Sequence, residues 1–162
     1  MVDSKKSGIT EKEVLSTMKK FQEAFEAGDP KFFDFFSKDM SLFSLSTPTR
    51  IDGLETYQHG FENVFTSGTR KSQILSPEVR ILGENAAVMT FHNRILVGGV
   101  STNIRGTVVF AREGSGQLKC VHMHNSPLAA PAVQASSPQS LEDVTVLEER
   151  VASAVAMVGT PK

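Results

Sequence analysis

The chain has 162 residues, 40% of them hydrophobic and 22% charged, with a net charge of -1 at pH 7. That length suits one domain with a real core, the charge balance gives no basic footprint for a nucleic-acid partner, and the lone Cys120 leaves no internal disulfide. No apolar run approaches the roughly 20 residues that span a bilayer, and the polar start Met1–Gly8 lacks the apolar stretch of a signal peptide, so no membrane partner and a cytoplasmic location are expected.

Residues 1–10 read as a polar tail. The first helix runs from about Glu11 to Ala27. Thr10 is placed as its N-cap, with Glu13 completing a capping box by reaching back to the Thr10 amide. Val14, Met18, Phe21 and Phe25 form one apolar stripe, and Gly28 stops the helix by taking the left-handed cap conformation. Asp29-Pro30 restarts the chain, aspartate as cap and proline at the first helical position. The apolar segment Phe32–Phe36 then reads as a short helix plugging one end of the domain.

A strand is expected over Met40–Ser46, ended by Thr47-Pro48-Thr49. A further helix, roughly Leu54–Phe65, puts Leu54, Tyr57, Phe61 and Phe65 on one face. From Lys71 the period becomes two. Gln73–Leu82 is a strand interrupted at Pro77, which belongs at a bulge or an edge because it cannot donate to the ladder. Glycine-containing turns then connect Ala86–Val97, Asn103–Arg112 and Gln117–Ser126. Turns this short mean an antiparallel meander, because parallel neighbours need crossovers of a dozen or more residues. The fold class is therefore α+β, with helices on one face of a curved sheet.

Residues 129–140, rich in Pro, Ala and Ser, read as a linker or surface strap. Residues 141–158 read as a C-terminal amphipathic helix, capped by Ser140, with the stripe Val144, Leu147, Val151, Ala154 and Val158. A detached helix of this length is only marginally stable, so it is expected to dock on a surface, a neighbouring subunit's or its own domain's.

Two strands carry candidate chemistry. In Ala86–Val97, alternation puts Thr90, His92 and Arg94 opposite Met89, Phe91 and Ile95; Arg105 and Thr107 repeat the pattern on the next strand. One reading is a wet cavity for a polar or anionic small molecule; the other is a solvated sheet face or ion pairing across an oligomer interface. In Val121–Ser126, His122, His124 and Ser126 share a face. Two histidines at this spacing can reach one metal, but a site needs a further ligand and no cysteine or carboxylate is near. They are interface candidates, and no metal or cofactor is expected.

Several motifs resemble, in order, the association (hub) domain of calcium/calmodulin-dependent protein kinase II, within the NTF2-like (SnoaL-like) superfamily. They are glycine-aspartate after the first helix, Ile51-Asp52-Gly53, Phe61-Glu62-Asn63, Ile74–Val79, Leu82–Ala87 and Val121–Ser126. The resemblance runs from about Glu13 to Pro131 and assigns residues 11–128 to one such domain, without a kinase domain. It implies a cone in which a strongly bent antiparallel sheet wraps the first helix, and self-association into a dimer or a ring of dimers. The pocket arginines of such hubs fall on His92, Val108 and Asn125, and a pocket histidine falls on Tyr57. The resemblance thus supports assembly more than the same ligand. The ligand-pocket candidates are Tyr57, His92, Arg94, Arg105 and Asn125.

NTF2-like folds also include small metal-independent enzymes, among them isomerases, cyclases and carbonic anhydrases. An isomerase needs a carboxylate base in the cavity, and no Asp or Glu here sits at an inward strand position. The carbonic anhydrase pattern His-His-His-Ser-Ser is matched at three of five places by His122–Ser126. The expected function is a homo-oligomerising hub with a cavity for a small molecule, the alternative an enzyme using the same cavity.

Overall fold

The structure, a computed structural model, describes residues 8–66 and 68–128. The expected linker and C-terminal helix lie outside the described residues. Helix α1 (Glu11–Ala27) is bounded as its sequence dictates: Thr10 is extended and its hydroxyl accepts from the Glu13 amide, while Gly28 closes the helix at φ 65° with its N–H on the carbonyls of Ala24 and Phe25. A six-residue 3₁₀ helix, Pro30–Phe35, follows, its Lys31 amide held by the Asp29 carboxylate at 2.9 Å. Strand β1 (Phe36–Phe43) comes next, then β2 (Ile51–Asp52), helix α2 (Leu54–Thr66), and strands β3 (Arg70–Ile81), β4 (Ala86–Val97), β5 (Val100–Arg112) and β6 (Leu118–Pro127).

The six strands form one open, curved sheet in the order β2-β1-β6-β5-β4-β3. The meander β3–β6 is antiparallel throughout. One pairing corrects the expectation of a wholly antiparallel sheet: β1 lies parallel to β6, with Ser41 opposite His122 and Phe43 opposite His124. The short-turn argument governs only strands joined by hairpins, and these two are joined through α2 and the whole meander. Strand β1 also begins earlier than Met40 and stops before Ser44. Beyond Phe43 the Ser44 hydroxyl takes the Ser46 amide at 3.1 Å, a local bond that competes with the ladder. Pro77 lies on edge strand β3, within a register shift between Leu75 and Glu78, where Ser76 adopts φ 48°. β5 starts at Val100, not Asn103, because Gly98 and Gly99 both take positive φ and make a two-residue hairpin turn with Val97 opposite Val100.

The helices pack on the concave face. Val14 and Met18 of α1 are buried against Met89, Val108, Phe110 and Cys120 of the sheet. Phe32 is the centre of an aromatic cluster, with ring centroids 4.6 Å from Phe21, 5.4 Å from Phe36 and 5.7 Å from Phe61. This cluster plugs one end of the concavity, as the run of phenylalanines suggested. Arg70, the first residue of β3, is buried and holds two helix ends together: its guanidinium donates to the carbonyls of Phe25 at 3.0 Å, Phe65 at 2.9 Å and Gly68 at 3.0 Å. A cation at the negative ends of two helix dipoles is favourably placed. No helix among the described residues is long and apolar enough to cross a membrane.

Candidate functional site

Between α1 and the concave sheet lies a cavity of about 280 Å³. Met18, Phe21 and Phe25 of α1 form one wall, and Phe91, Ile104 and Met123 of the sheet form the other. Phe32, Tyr57 and Phe61 close one side, and Leu45, 41% exposed, marks the rim. Polar atoms enter at a few points. Gln22 donates to the Ser72 hydroxyl at 3.3 Å, and that hydroxyl donates to Asn93 Oδ1 at 3.2 Å. Asn125 donates its side-chain N–H to the Met123 sulfur at 3.4 Å, while its Oδ1, buried, has no hydrogen-bond partner.

The expected pocket set divides between the two faces of the sheet. Tyr57 and Asn125 line the cavity. His92, Arg94 and Arg105 do not: they alternate with the inward residues Phe91, Asn93 and Ile104, so their place in the cavity is corrected to the opposite face. His92 stands opposite Arg105 there, and Arg94 opposite Asn103. Burial first, and the Arg105 guanidinium second, push the His92 pKa down, so this imidazole is neutral at pH 7. Val108, another position to which the hub resemblance carried a pocket arginine, is wholly buried in the core.

His122 and His124 lie on the outward face too. The Ser41 hydroxyl is 2.7 Å from His122 Nδ1, and the exposed Phe43 ring lies 5.2 Å from the His124 ring. No cluster of three metal-ligating side chains occurs among the described residues. Cys120, two residues before His122 on the same strand, is buried in the core; burial pushes its thiol up to about 12, so it is a core group and a poor nucleophile. Tyr57 is also buried, and desolvation, with Cys120 as a lesser cause, raises its pKa.

The sequence reading missed Asn93, Ser72 and Arg70. A signal for Asn93 was present: in the inward set Met89, Phe91, Asn93 and Ile95 it is the one polar side chain. Gly106 carried no such signal. A Cβ there would run into the Phe91 ring, so the missing side chain is what lets that ring form the cavity wall.

The family model for the calcium/calmodulin dependent protein kinase II association domain matches residues 10–129. The chain belongs to that family. Solved structures agree on the association-domain fold. An NTF2-like protein of unknown function from Pseudomonas putida KT2440 superposes with TM-score 0.67 at 21% identity, covering 80% of this chain and 95% of the other. The hub homology domain from Chlamydomonas reinhardtii gives 0.60 at 23%, covering 73% and 97%. The association domain of the C. elegans kinase gives 0.59 at 19%, covering 71% and 93%. No curated protein matches the sequence.

Proposed function

We propose that this association domain is a homo-oligomerising hub, built on a dimer or a ring of dimers, with a cavity in each subunit that takes a small molecule. The observation that carries the assembly role is the outward face of the sheet. None of the described helices covers it, yet it presents Phe43, 41% exposed, beside the bonded pair Ser41–His122, with Leu75, Val88, Leu96 and Val109 on the same side by alternation. A face that mixes apolar and hydrogen-bonding groups in this way suits a symmetric partner of the same chain. His122 and His124 sit within it and serve the contact. The enzymatic alternative finds less support, because an isomerase needs a base and no carboxylate or imidazole is among the described residues lining the cavity.

The test is mass in solution. Light scattering on the purified protein at tens of micromolar is expected to give an even multiple of the chain mass, and Phe43→Glu, which puts a charge into the contact, is expected to yield smaller species with an unchanged far-UV circular dichroism spectrum. A wild-type monomer at that concentration refutes the assembly role.

A further inference from the structure

The cavity wall carries no charge. Among the described residues lining it there is no Asp, Glu, Lys, Arg or His, and the one ionisable group, Tyr57, has its pKa raised by burial, so its hydroxyl stays neutral at physiological pH. An anion entering this space loses its hydration and meets no countercharge, which is costly. A neutral apolar molecule gains instead: the walls are mostly aromatic and aliphatic, and the volume of about 280 Å³ is nearly double the ~150 Å³ of an apolar cavity that accepts benzene.

One polar atom adds a specific demand. Asn125 Oδ1 is buried without a partner, and a buried acceptor left this way costs roughly 1–3 kcal/mol. The orientation of the amide is set by its neighbour. Met123 sulfur can accept but not donate, so the amide N–H turns to it at 3.4 Å and the carbonyl oxygen is left for something else. Asn125 follows Met123 on the inward face, opposite Gly106, whose lack of a side chain leaves the Phe91 ring as the adjoining wall.

We propose that the cavity binds a neutral, largely apolar small molecule, about the size of two fused rings, that carries an O–H or N–H donor and gives it to Asn125 Oδ1. The proposal rests on the reading of the cavity as a ligand site and narrows it, replacing the polar or anionic ligand expected from the sequence.

Three probes of one shape test it at pH 7: 2-naphthol, neutral with a donor; naphthalene, neutral without one; and 2-naphthoate, an anion. In fluorescence titrations, naphthol is expected to bind roughly three- to tenfold more tightly than naphthalene, the net worth of one hydrogen bond, and naphthoate at least tenfold more weakly than naphthalene. Asn125→Leu is expected to bring naphthol down to the level of naphthalene. In the unaltered protein, the Asn125 side-chain carbonyl carbon should move further downfield with naphthol than with naphthalene, a readout that requires no variant. Naphthoate binding as tightly as naphthol, or a carbonyl shift equal for naphthol and naphthalene, overturns the ligand class and leaves the cavity a ligand site. Failure of all three probes to bind overturns both.

Discussion

Gly28 and Arg70 are coupled in a way that a double-mutant cycle can measure. Gly28 ends α1 at φ 65°, a conformation that costs an L-residue roughly 1–2 kcal/mol. A Cβ added there also meets the Arg70 guanidinium, which must swing away and lose its 3.0 Å bond to the Phe25 carbonyl. A hydrogen bond from a charged donor is worth about 1.5–3 kcal/mol, so Gly28→Ala should cost about 3 kcal/mol in all. Arg70→Met removes the bonds to Phe25, Phe65 and Gly68 together. The loss is expected to be about 3–5 kcal/mol, since the carbonyls left behind are only partly rehydrated. In the double variant the clash is gone, so the total should fall short of the sum by about 2 kcal/mol. Urea unfolding followed by circular dichroism reads this at one fixed protein concentration, because association would otherwise shift the midpoints. With a slope of about 1.5 kcal/mol per molar urea, Gly28→Ala alone lowers the midpoint by roughly 2 M. Additivity within about 0.5 kcal/mol would show that the two residues do not meet as described.

Two further outcomes follow from titratable groups. Hydrogen bonding to Arg112, at 2.7 and 2.9 Å, is the largest influence holding the Glu13 carboxyl below its ordinary range, with the Thr10 amide a minor one; the stability it contributes is therefore present above the unfolded value near 4.3 and is lost as pH falls through the lower folded value. Glu13→Gln should lower stability at pH 7 by about 1 kcal/mol, screened because the carboxylate is partly exposed, and flatten the acid limb of a stability–pH curve; an unchanged acid limb tells against this pairing. The Cys120 thiol, pushed up to about 12 by burial, should react with a disulfide reagent at pH 8 at least tenfold more slowly than in the urea-unfolded chain, and equal rates would contradict its burial.

The helices and the meander were legible because their signals are local. Thr10, the stripe Val14–Phe25 and Gly28 fix α1 within one segment, and the glycine turns separate β3 to β6. The start of β1 was not legible, since Phe32–Phe36 is phenylalanine at every position but Asp34 and has no clear period to separate helix from strand. β2, at two residues, is too short to show any alternation. The capping box was half informative: Thr10 holds the Glu13 amide as expected, but the carboxylate is committed chiefly to Arg112, 99 positions away, which no local pattern announces. In the candidate site, alternation sorted β4 correctly into two sets but left open which of them faces the cavity. Residue type drew attention to His92 and Arg94, whereas packing against the stripe of α1 requires Met89 and Phe91 to face inward. The acceptor that distinguishes the cavity, Asn125, was reachable by resemblance but not by pattern, because its lack of a partner exists only once Met123 and Gly106 are placed around it.

The parallel pairing of β1 with β6 has a consequence for the order in which the chain acquires its structure. Ser41 and His122 are 81 positions apart, so the bond between them forms only after the intervening meander has been laid down. The aromatic cluster of Phe21, Phe32 and Phe61 needs no such wait, because its members come from neighbouring segments. Until β6 arrives, β1 is held on one side by β2 alone and shows an open edge on the other, with Phe43 beside it. Non-local closures of this kind slow folding, and an unpaired edge beside exposed aromatic surface invites association with other unfinished chains. The slow step and the aggregation-prone step are then the same event, the docking of the last strand. Substitutions along β6 should therefore be felt in the yield of soluble protein before they are felt in the stability of the finished fold.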